Sequence, residues 1–307
     1  MLNDIQAEIL RQVADLAALP DTGAVNLRSD GQRAFHRDSE HVHIVSKTDK
    51  DGIDIHIDPG TKGETVHIPV VITKSGVKDL VYNDFFIGEG AEVKIVAGCG
   101  IHNCGGCDSE HDGIHTFHVG KNAKVTYVEK HYGEGDGAGK RILNPQTILY
   151  LEEGASVTLD TSQIKGVDDT KRYTRAVVGE NAEIVIQEKL LTHDSQKAES
   201  EMDVFLNGAG SKTRVVSRSV AQDSSVQIFY PRVEGNAPCF GHVSCDAIIM
   251  GEARVRAIPE ITCNHVDAGL IHEAAIGKIA GEQILKLMTL GLTAEEAEEK
   301  ILEGFLR

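Results

Sequence analysis

The stretch Ile87-Gly-Glu-Gly-Ala-Glu-Val-Lys-Ile95 decides the fold, because its pattern returns along the chain. Close copies are Val119-Gly-Lys-Asn-Ala-Lys-Val-Thr-Tyr127, Leu151-Glu-Glu-Gly-Ala-Ser-Val-Thr-Leu159 and Val178-Gly-Glu-Asn-Ala-Glu-Ile-Val-Ile186, and a weaker copy begins at Leu206. Successive copies start 32, 32, 27 and 28 residues apart. Periods of roughly 20–50 residues are typical of stacked supersecondary units. The sequence therefore predicts a repeat structure.

Each copy contains the end of one strand, a turn and the start of an alternating strand. Gly or Asn stands just before the Ala, at a position where a positive φ is expected. Because no helical segment separates the strands, the repeat favours a parallel β-helix over a solenoid built from helices. Upstream, the alternating segments 41–45, 53–57 and 66–72 extend the β pattern back to about residue 34. A β-sandwich of irregular hairpins is the competing fold.

The N-terminal end is predicted to be helical. Residues 2–18 are amphipathic, carry both charge signs and end near the turn Leu19-Pro20-Asp21. We expect three regions: an N-terminal helical segment 1–30, a β-helix core 31–266 and a C-terminal helical hairpin 267–307.

The C-terminal hairpin is predicted from two helical segments. Residues 267–288 read as one helix, and Gly291 ends it. Thr293 followed three positions later by Glu296 is a capping box that opens a second helix reaching Phe305. Because each helix has its own apolar stripe, we expect the hairpin to dock onto a partner.

Composition narrows the functional classes. The formal net charge is −16, and the 307 residues include 31 glycines and no tryptophan. The charge argues against nucleic acid or an anionic membrane surface as the main partner. Segment 2–18 lacks the continuous apolar core of a signal peptide, and no stretch approaches the roughly 20 apolar residues of a membrane span. We expect a cytoplasmic protein, whose six cysteines are thiols or metal ligands rather than disulfides.

Three cysteines, Cys99, Cys104 and Cys107, form the densest candidate site. Their C-x4-C-x2-C spacing matches part of a plant-type iron–sulfur ligand run, and glycines between them would let the sulfurs face one point. Zinc bound by Cys104, Cys107, His111 and His115 is an alternative. In a third interpretation, the histidines simply alternate on a strand and the cysteines are small buried hydrophobes.

A second group of soft ligands lies near the C-terminus. Its members are Cys239, His242, Cys245, Cys263, His265, His272 and Glu273. Neighbouring strands could bring Cys245 and Cys263 within reach of His272 and Glu273. Thiolate, imidazole and carboxylate together suit iron, zinc or copper.

The sequence offers no enzyme motif. The glycine-rich run 133–140 does not have the phosphate-loop spacing, and Arg141 stands where Ser or Thr would hold magnesium. No G-x-S-x-G, HExxH or G-x-G-x-x-G pattern is present. We therefore expect a protein that is not itself an enzyme.

The C-terminal part of the chain, residues 241–305, resembles the SufB/SufD scaffolds of iron–sulfur cluster assembly. The resemblance is carried by Gly241-His-Val-Ser-Cys-Asp-Ala-Ile-Ile-Met250, Pro259-Glu-Ile261, Asp267-Ala268, His272-Glu-Ala-Ala-Ile-Gly-Lys-Ile279, Gly291-Leu-Thr293 and Gly304-Phe305. With the upstream repeats it covers roughly residues 30–307. The chain is most similar to the compact SufB-like form of minimal, archaeal-type systems.

The resemblance implies a right-handed parallel β-helix flanked by helices that holds a nascent iron–sulfur cluster for client proteins. It also implies a partner, a SufC-type ABC ATPase bound through the C-terminal helices. With one kind of scaffold chain, a homodimer carrying two ATPases, a 2:2 complex, is expected. The alternative is a metal-binding β-helix protein, with an iron–sulfur cluster or zinc, that acts alone as a redox carrier, a metalloenzyme or a zinc-stabilised solenoid.

By position, the resemblance marks Cys99, Cys245 and Glu273 as sites where sulfur enters or the cluster is held, with His272 as a neighbouring ligand. The candidate metal ligands are Cys99, Cys104, Cys107, Cys245, Cys263 and Glu273. Cys104 and Cys107 have no counterpart in the bacterial pattern.

Overall fold

The computed structural model describes residues 3–16 and 18–306, which form three helices and 22 strands. Strand accounts for 57% of the chain and coils into about eight turns of a β-solenoid. The helices are α1 (Asp4–Ala14), α2 (Gly281–Met288) and α3 (Ala294–Leu306). The strands are β1 (Ala24–Ser29), β2 (Gln32–Arg37), β3 (Val42–Ser46), β4 (Gly52–Ile57), β5 (Lys62–His67), β6 (Val70–Ile72), β7 (Lys78–Ile87), β8 (Glu92–His102), β9 (Ser109–Val119), β10 (Lys124–Glu134), β11 (Arg141–Leu143), β12 (Gln146–Leu151), β13 (Ser156–Lys165), β14 (Asp169–Val178), β15 (Glu183–Thr192), β16 (Lys197–Leu206), β17 (Ser211–Ala221), β18 (Val226–Gly235), β19 (Cys239–Ile249), β20 (Arg254–Ala257), β21 (Glu260–Cys263) and β22 (Ala268–Gly277).

The strands form two sheets that enclose a common core. The first sheet has the order β2-β1-β5-β8-β10-β13-β15-β17-β19-β22, with β6 beside β1 and β8. The second has the order β20-β18-β16-β14-β11-β9-β7-β4-β3, with β12 beside β9 and β14, and β21 beside β18. Within the described ranges, only the pairs β1–β2 and β3–β4 are antiparallel. The predicted parallel β-helix is confirmed, and the hairpin sandwich is excluded.

One corner of the coil uses the left-handed backbone that the repeat predicts. Gly90, Asn122, Gly154, Asn181 and Gly210 have φ between 52° and 73°. Gly and Asn adopt this conformation at the least steric cost. The residue after each is buried at the same point of successive turns. The repeat therefore fixes both the turn and the side chain that faces inward after it.

The core between the sheets combines an apolar cluster with buried polar side chains. Phe85 and Phe117 stack with ring centroids 4.2 Å apart, and Tyr127 meets Phe117 edge-on at 5.1 Å. Along β9 and β10, inward positions also carry histidine and glutamate side chains that are less than 5% exposed. Burying charge is costly unless it is paired. These buried polar side chains therefore need partners inside the coil.

Helix α1 covers the outer wall of the first sheet. A capping box satisfies backbone groups of its first turn, and its own residues Ile9 and Val13 are fully buried against the strand. A Cβ atom at Gly98 would lie 2.2 Å from the Val13 carbonyl oxygen, and one at Gly100 would lie 2.1 Å from Ile9. Two glycines on β8 therefore allow the helix to sit directly on the strand.

The predicted N-terminal boundary was wrong by one strand. Strand β1 lies inside the segment 1–30 that was predicted to be helical, and it pairs with β2, β5 and β6. Its first residues, Ala24 and Val25, are fully buried. The β body therefore begins at residue 24 rather than 31.

The predicted helix over residues 267–288 was wrong in its first half. Residues Ala268–Gly277 form β22, which pairs in parallel with β19. The segment contains two isoleucines and two glycines, which have weak helix propensity. Its apolar spacing fits both the period of a helix and that of a strand, and pairing with β19 selects the strand. The β core therefore extends to residue 277, past the predicted limit of 266, and the helices begin at Gly281.

Helix α3 packs on the outside of the first sheet, and α2 packs on α3. Thr293 and Glu296 form the predicted capping box, with backbone-to-side-chain distances of 2.7 and 3.1 Å. Ala297 is fully buried, and Arg218 of β17 donates to the carbonyl oxygen of Phe305 at 3.4 Å. In the part of the chain that the structure describes, none of the helices has the length and apolar character needed to cross a bilayer.

Candidate functional site

Cys99 lies on β8 with its side chain inside the coil. It is 4% exposed, and the glycines on either side of it face α1 on the outside. Successive residues of a strand point to opposite faces, so outward glycines place the thiol inward. We name the enclosed group Asp79, Cys99, His111, Glu129 and His131 the Cys99 chamber, and each of these residues is at most 5% exposed.

Two histidines and a carboxylate set the charge of the Cys99 chamber. Burial raises the pKa of Cys99, but the hydrogen bonds and positive charges of His111 and His131 outweigh it and lower that pKa to about 7. Burial lowers the pKa of His111, yet Cys99 and Asp79 hold it at about 10. His111 Nδ1 lies 3.0 Å from Asp79 Oδ2. At pH 7 about half of Cys99 is therefore thiolate, held beside an imidazolium, and the thiolate is the nucleophilic form of cysteine.

Buried polar groups continue from the chamber along the axis of the coil. Arg172 Nη1 donates to Glu129 at 2.5 Å, and Arg172 Nε lies 3.7 Å from Glu188. Glu188 in turn accepts a hydrogen bond from Ser217 at 3.0 Å. Ser217 is the register neighbour of Cys245. We call the connection Glu129–Arg172–Glu188–Ser217 the polar line, because it joins the Cys99 chamber to a second thiol.

Cys245 and His272 meet at the last turn of the coil. Cys245 Sγ lies 3.3 Å from His272 Nε2, one residue on β19 and the other on β22. Burial, followed by the nearby charges of Glu188 and Asp246, raises the pKa of Cys245 to about 12. Burial also lowers the pKa of His272. A protonated thiol beside a neutral imidazole is ready to exchange its proton for a metal ion.

Glu273 and His242 meet on the other face of the same two strands. Their side chains approach to 3.1 Å, and Glu273 is 64% exposed. His272 points inward, so Glu273, the next residue on the strand, points outward. The predicted ligands Cys245 and Glu273 therefore share one sheet edge but lie on its opposite faces. We call the inner pair Cys245–His272 and the outer pair His242–Glu273 together the terminal site.

Cys239 and Cys263 lie at a neighbouring corner. Cys239 is buried at the start of β19, and Cys263 is exposed at the end of β21. Gly235 lies next to both thiols. A Cβ added to Gly235 would lie 2.9 Å from Cys239 Sγ, and Cys263 is the register partner of Gly235. Burial, followed by the charge of Cys263, raises the pKa of Cys239. These two thiols therefore form a separate group from Cys245 and His272.

Cys104 and Cys107 do not converge with Cys99. Both are exposed in the loop 103–108, whereas Cys99 faces the interior. Within residues 3–16 and 18–306, one group of three or more His, Cys, Asp and Glu residues has all its ligand atoms within 4.8 Å of each other, and it comprises His193, Asp194 and Asp223. The three sulfurs predicted to face one point are therefore apart here, because the strand ends between them.

The histidines of β9 follow strand alternation, as one of the sequence interpretations expects. His111 and His115 both point inward, and His115 Nδ1 lies 2.7 Å from the Tyr127 hydroxyl. Burial lowers the pKa of His115 to about 4, which leaves the ring neutral. The zinc site predicted from these histidines with Cys104 and Cys107 is not assembled, because the cysteines lie outside the coil.

Three chamber residues were not identified from the sequence: Asp79, Glu129 and His131. A signal for two of them was present, since Asp79 precedes His111 by 32 residues and Cys99 precedes His131 by 32 residues. That interval equals the spacing of the first repeats, and both pairs are register neighbours. Combining the repeat period with a search for polar residues would have placed them together.

Comparison with known proteins shows similarity to one family. Residues 79–305 match the SufBD core domain of the SUF system for iron–sulfur cluster assembly. An iron–sulfur cluster assembly SufBD family protein of Archaeoglobus fulgidus is 30% identical over 272 residues, which is 87% of this chain and 71% of that protein. A second, from Methanocaldococcus jannaschii, is 28% identical over 78% of this chain and 76% of its own length. A third, from Pyrococcus horikoshii, is 29% identical over 76% of this chain and 71% of its own length.

Proposed function

The chain belongs to the SufBD family of the SUF system for iron–sulfur cluster assembly, and on that premise we propose that it is a scaffold on which a nascent cluster is held. The cluster is cargo that passes to client proteins. The chain itself is not an enzyme, and ATP hydrolysis belongs to a SufC-type ABC ATPase partner. The proposed compartment is the cytoplasm.

The terminal site is the proposed place for the cargo, and the 3.3 Å pairing of Cys245 with His272 carries the proposal. Thiolate and imidazole are ligands that iron accepts readily. Glu273 presents a carboxylate on the outer face of the same sheet edge, where it is proposed to meet the cargo as the cargo leaves the inner pair. His272 is partly exposed and Glu273 is exposed, so a client could reach this edge of the last turn.

Sulfur is proposed to enter at the Cys99 chamber. A thiolate held by His111 and His131 is suited to accept sulfur inside the coil. The polar line then supplies hydrogen-bonding and charged groups between this chamber and Cys245. An uncharged wall would oppose the passage of a charged sulfur species.

The ATPase is proposed to dock on the C-terminal helices. Leu285, Met288 and Leu290 are 62%, 41% and 76% exposed, and they form an apolar surface on and just after α2. Apolar side chains gathered in this way typically mark a protein interface. Helix α3 lies on β17, two strands from β22. Movement of the helices by the ATPase could therefore reach the terminal site through a short path.

A homodimer is proposed to form through β22, giving a 2:2 complex with the ATPase. Strand β22 is the last strand of the first sheet, so one of its edges has no neighbour among the described strands. Ile271 and Ile276 on it are 50% and 41% exposed. An open strand with exposed apolar residues is suited to pairing with a second copy across a two-fold axis.

The docking proposal is tested by co-expression with a SufC-type ATPase and native mass measurement. We expect a 2:2 mass for wild type and loss of the ATPase from the double variant Leu285→Glu, Leu290→Glu. The control is Val45→Glu, because Val45 is 52% exposed at the opposite end of the coil. Failure of the wild-type pair to associate would overturn the scaffold–motor arrangement.

The cargo proposal is tested by anaerobic reconstitution with ferrous iron and inorganic sulfide, read by Mössbauer spectroscopy. Cys245→Ser should lose most of the bound iron. A triple variant with Ser at 99, 104 and 107 should retain it, since inorganic sulfide bypasses sulfur entry. Equal iron content in Cys245→Ser and wild type would rule out the terminal site.

A further inference from the structure

A second reactive arrangement lies outside the coil, at the end of β8. Cys104 Sγ lies 2.9 Å from His102 Nε2, and His102 Nδ1 lies 2.9 Å from Glu134 Oε1. Tyr132 donates its hydroxyl to the other oxygen of Glu134 at 2.9 Å. Thiol, imidazole and carboxylate thus form an ordered series. This series is distinct from the Cys99 chamber, because Cys104 is exposed.

The order of the three groups fixes the direction of proton movement. A carboxylate can only accept a hydrogen bond, so the hydrogen of the His102 ring lies on Nδ1, toward Glu134. Nε2 then presents its lone pair to the Cys104 thiol. A nucleophile within hydrogen-bond reach of a base that a third group orients is the general signature of an activated nucleophile.

The loop that carries Cys104 is held in place by its neighbours. Fully buried Asn103 donates to the carbonyl oxygen of Cys107 at 2.8 Å, and Ser75 donates to the same oxygen at 3.0 Å. The glycine-rich run 133–140 packs against the other side. A Cβ on Gly137 would lie 2.3 Å from the Gly105 carbonyl oxygen. The run that resembled a phosphate loop therefore supports the thiol loop through close backbone contact.

The approach to Cys104 is open. Its two following residues are glycines, and a Cβ built on Gly106 would meet no atom within 4 Å. The thiol therefore stands on a rigid loop with room for another protein's side chain to reach it. Such a site suits transfer from thiol to thiol, in which the donor brings a single sulfur atom.

We infer that Cys104 is a surface acceptor of sulfane sulfur from the cysteine persulfide of a donor protein, with His102 as base and Glu134 as its positioning residue. The inference rests on the proposed function, which requires a source of sulfur. Cys104 sulfur attacks the outer sulfur of the persulfide while its proton passes to His102. The donor S–S bond breaks, and its electron pair leaves on the inner sulfur, which takes the proton from His102. Cys104 ends as a persulfide and the donor as a thiol, with no net oxidation.

The test uses the full chain, free of iron and ATPase, with glutathione persulfide as the donor under anaerobic conditions. Mass spectrometry with fragmentation follows the gain of one sulfur atom at each cysteine. We expect Cys104 to be modified faster than Cys107, the internal reference in the same loop. Because a thiol needs less help from a base than a hydroxyl does, His102→Gln should slow Cys104 by about tenfold rather than abolish its reaction. His118→Gln, which changes an exposed histidine elsewhere, should not slow it.

The positioning role of Glu134 has its own readout. Glu134→Ala should slow the reaction, and Glu134→Gln, which keeps an oxygen acceptor for His102 Nδ1, should restore most of the rate. Equal rates at Cys104 and Cys107, no effect of His102→Gln, or zinc held by the loop in place of sulfur would each overturn the inference. Reconstitution of Cys104→Ser with inorganic sulfide separates the two proposals. If wild type retains iron but Cys104 does not accept sulfur, only this inference is overturned. If wild type itself does not retain iron, the proposed function is overturned.

Discussion

The Cys99 chamber and the terminal site place the same side chain in opposite electrostatic settings. Both bury a thiol beside a histidine, yet the pKa of Cys99 is lowered to about 7 and that of Cys245 is raised to about 12. Asp79 keeps His111 charged in the chamber, whereas Glu188 and Asp246 place negative charge near Cys245. Burial raises the pKa of both thiols, so the difference lies in their direct neighbours: charged histidines beside Cys99 and carboxylates beside Cys245.

This contrast separates two tasks that one thiol would perform poorly. An ionised thiol with paired counter-charges attacks electrophilic sulfur. A protonated thiol at a partly open edge holds little charge until a metal displaces its proton. Reactivity and storage can therefore be assigned to separate turns of one coil.

The largest expected contrast is in ionisation. In iron-free protein, thiolate absorbance should include one step near pH 7 that disappears in Cys99→Ser and persists in Cys245→Ser. The reason is the separation between a pKa of about 7 and one of about 12. An ultraviolet titration measures it. An absorbance step near pH 7 that survives in Cys99→Ser would contradict the assignment of the low pKa to Cys99.

The next effect is on stability. Glu129→Gln should lower the free energy of unfolding by about 3–5 kcal/mol, because it removes the carboxylate nearest to the buried Arg172 charge and leaves only Glu188, at 3.7 Å. Glu273→Gln, in an exposed pair, should cost no more than about 1 kcal/mol. Urea unfolding of both variants gives the comparison. Similar losses would mean that the interior charges are no more tightly coupled than those at the edge.

A smaller effect depends on pH through Asp79. Hydrogen bonds from His111 and Arg28 overcome burial and lower its pKa from 3.8 to about 2, a shift equivalent to about 2 kcal/mol. Because the folded-state value is depressed, this stability is present above pH 4 and is lost as pH falls from about 4 through about 2. Asp79→Asn should therefore differ from wild type by less as the pH falls. Urea unfolding at a series of acidic pH values measures that difference, and a constant gap would contradict it.

The smallest predicted effect concerns iron at the terminal site. His272→Gln should weaken iron retention by about tenfold, because it removes the nitrogen 3.3 Å from Cys245. Competition with a graded chelator after reconstitution measures the change. His265→Gln is the matched control, since His265 lies in the same region but contacts Asp267. Equal weakening by both changes would argue against a ligand role for His272.

The body of the fold could be predicted from sequence because its information is periodic. The turn residues Gly90 and Asn122 predict the left-handed corner, and the alternation of apolar and polar residues after them predicts the strand. The segment 268–277 could not be assigned in the same way. Its apolar spacing fits a helix or a strand, and only the exposed edge of β19 settles the choice.

The candidate site could be predicted only in part. Soft ligands near the C-terminus indicated the Cys245–His272 pair, because their chemistry is visible in the residue types. The convergence of Cys99, Cys104 and Cys107 was wrong for this structure, because spacing alone does not show where a strand ends. The polar line was invisible, since Arg172 meets Glu129 across the core between two sheets.

The turns of the coil differ in length at one corner. Two successive turns join their strands there with six residues, 103–108 and 135–140, whereas the next two use three, 166–168, and four, 193–196. Strands locked in register on both sides cannot absorb an insertion, so extra length accumulates where the chain leaves the sheets. Lineages that lengthen or trim this corner can acquire or lose a reactive loop without disturbing the stacked architecture.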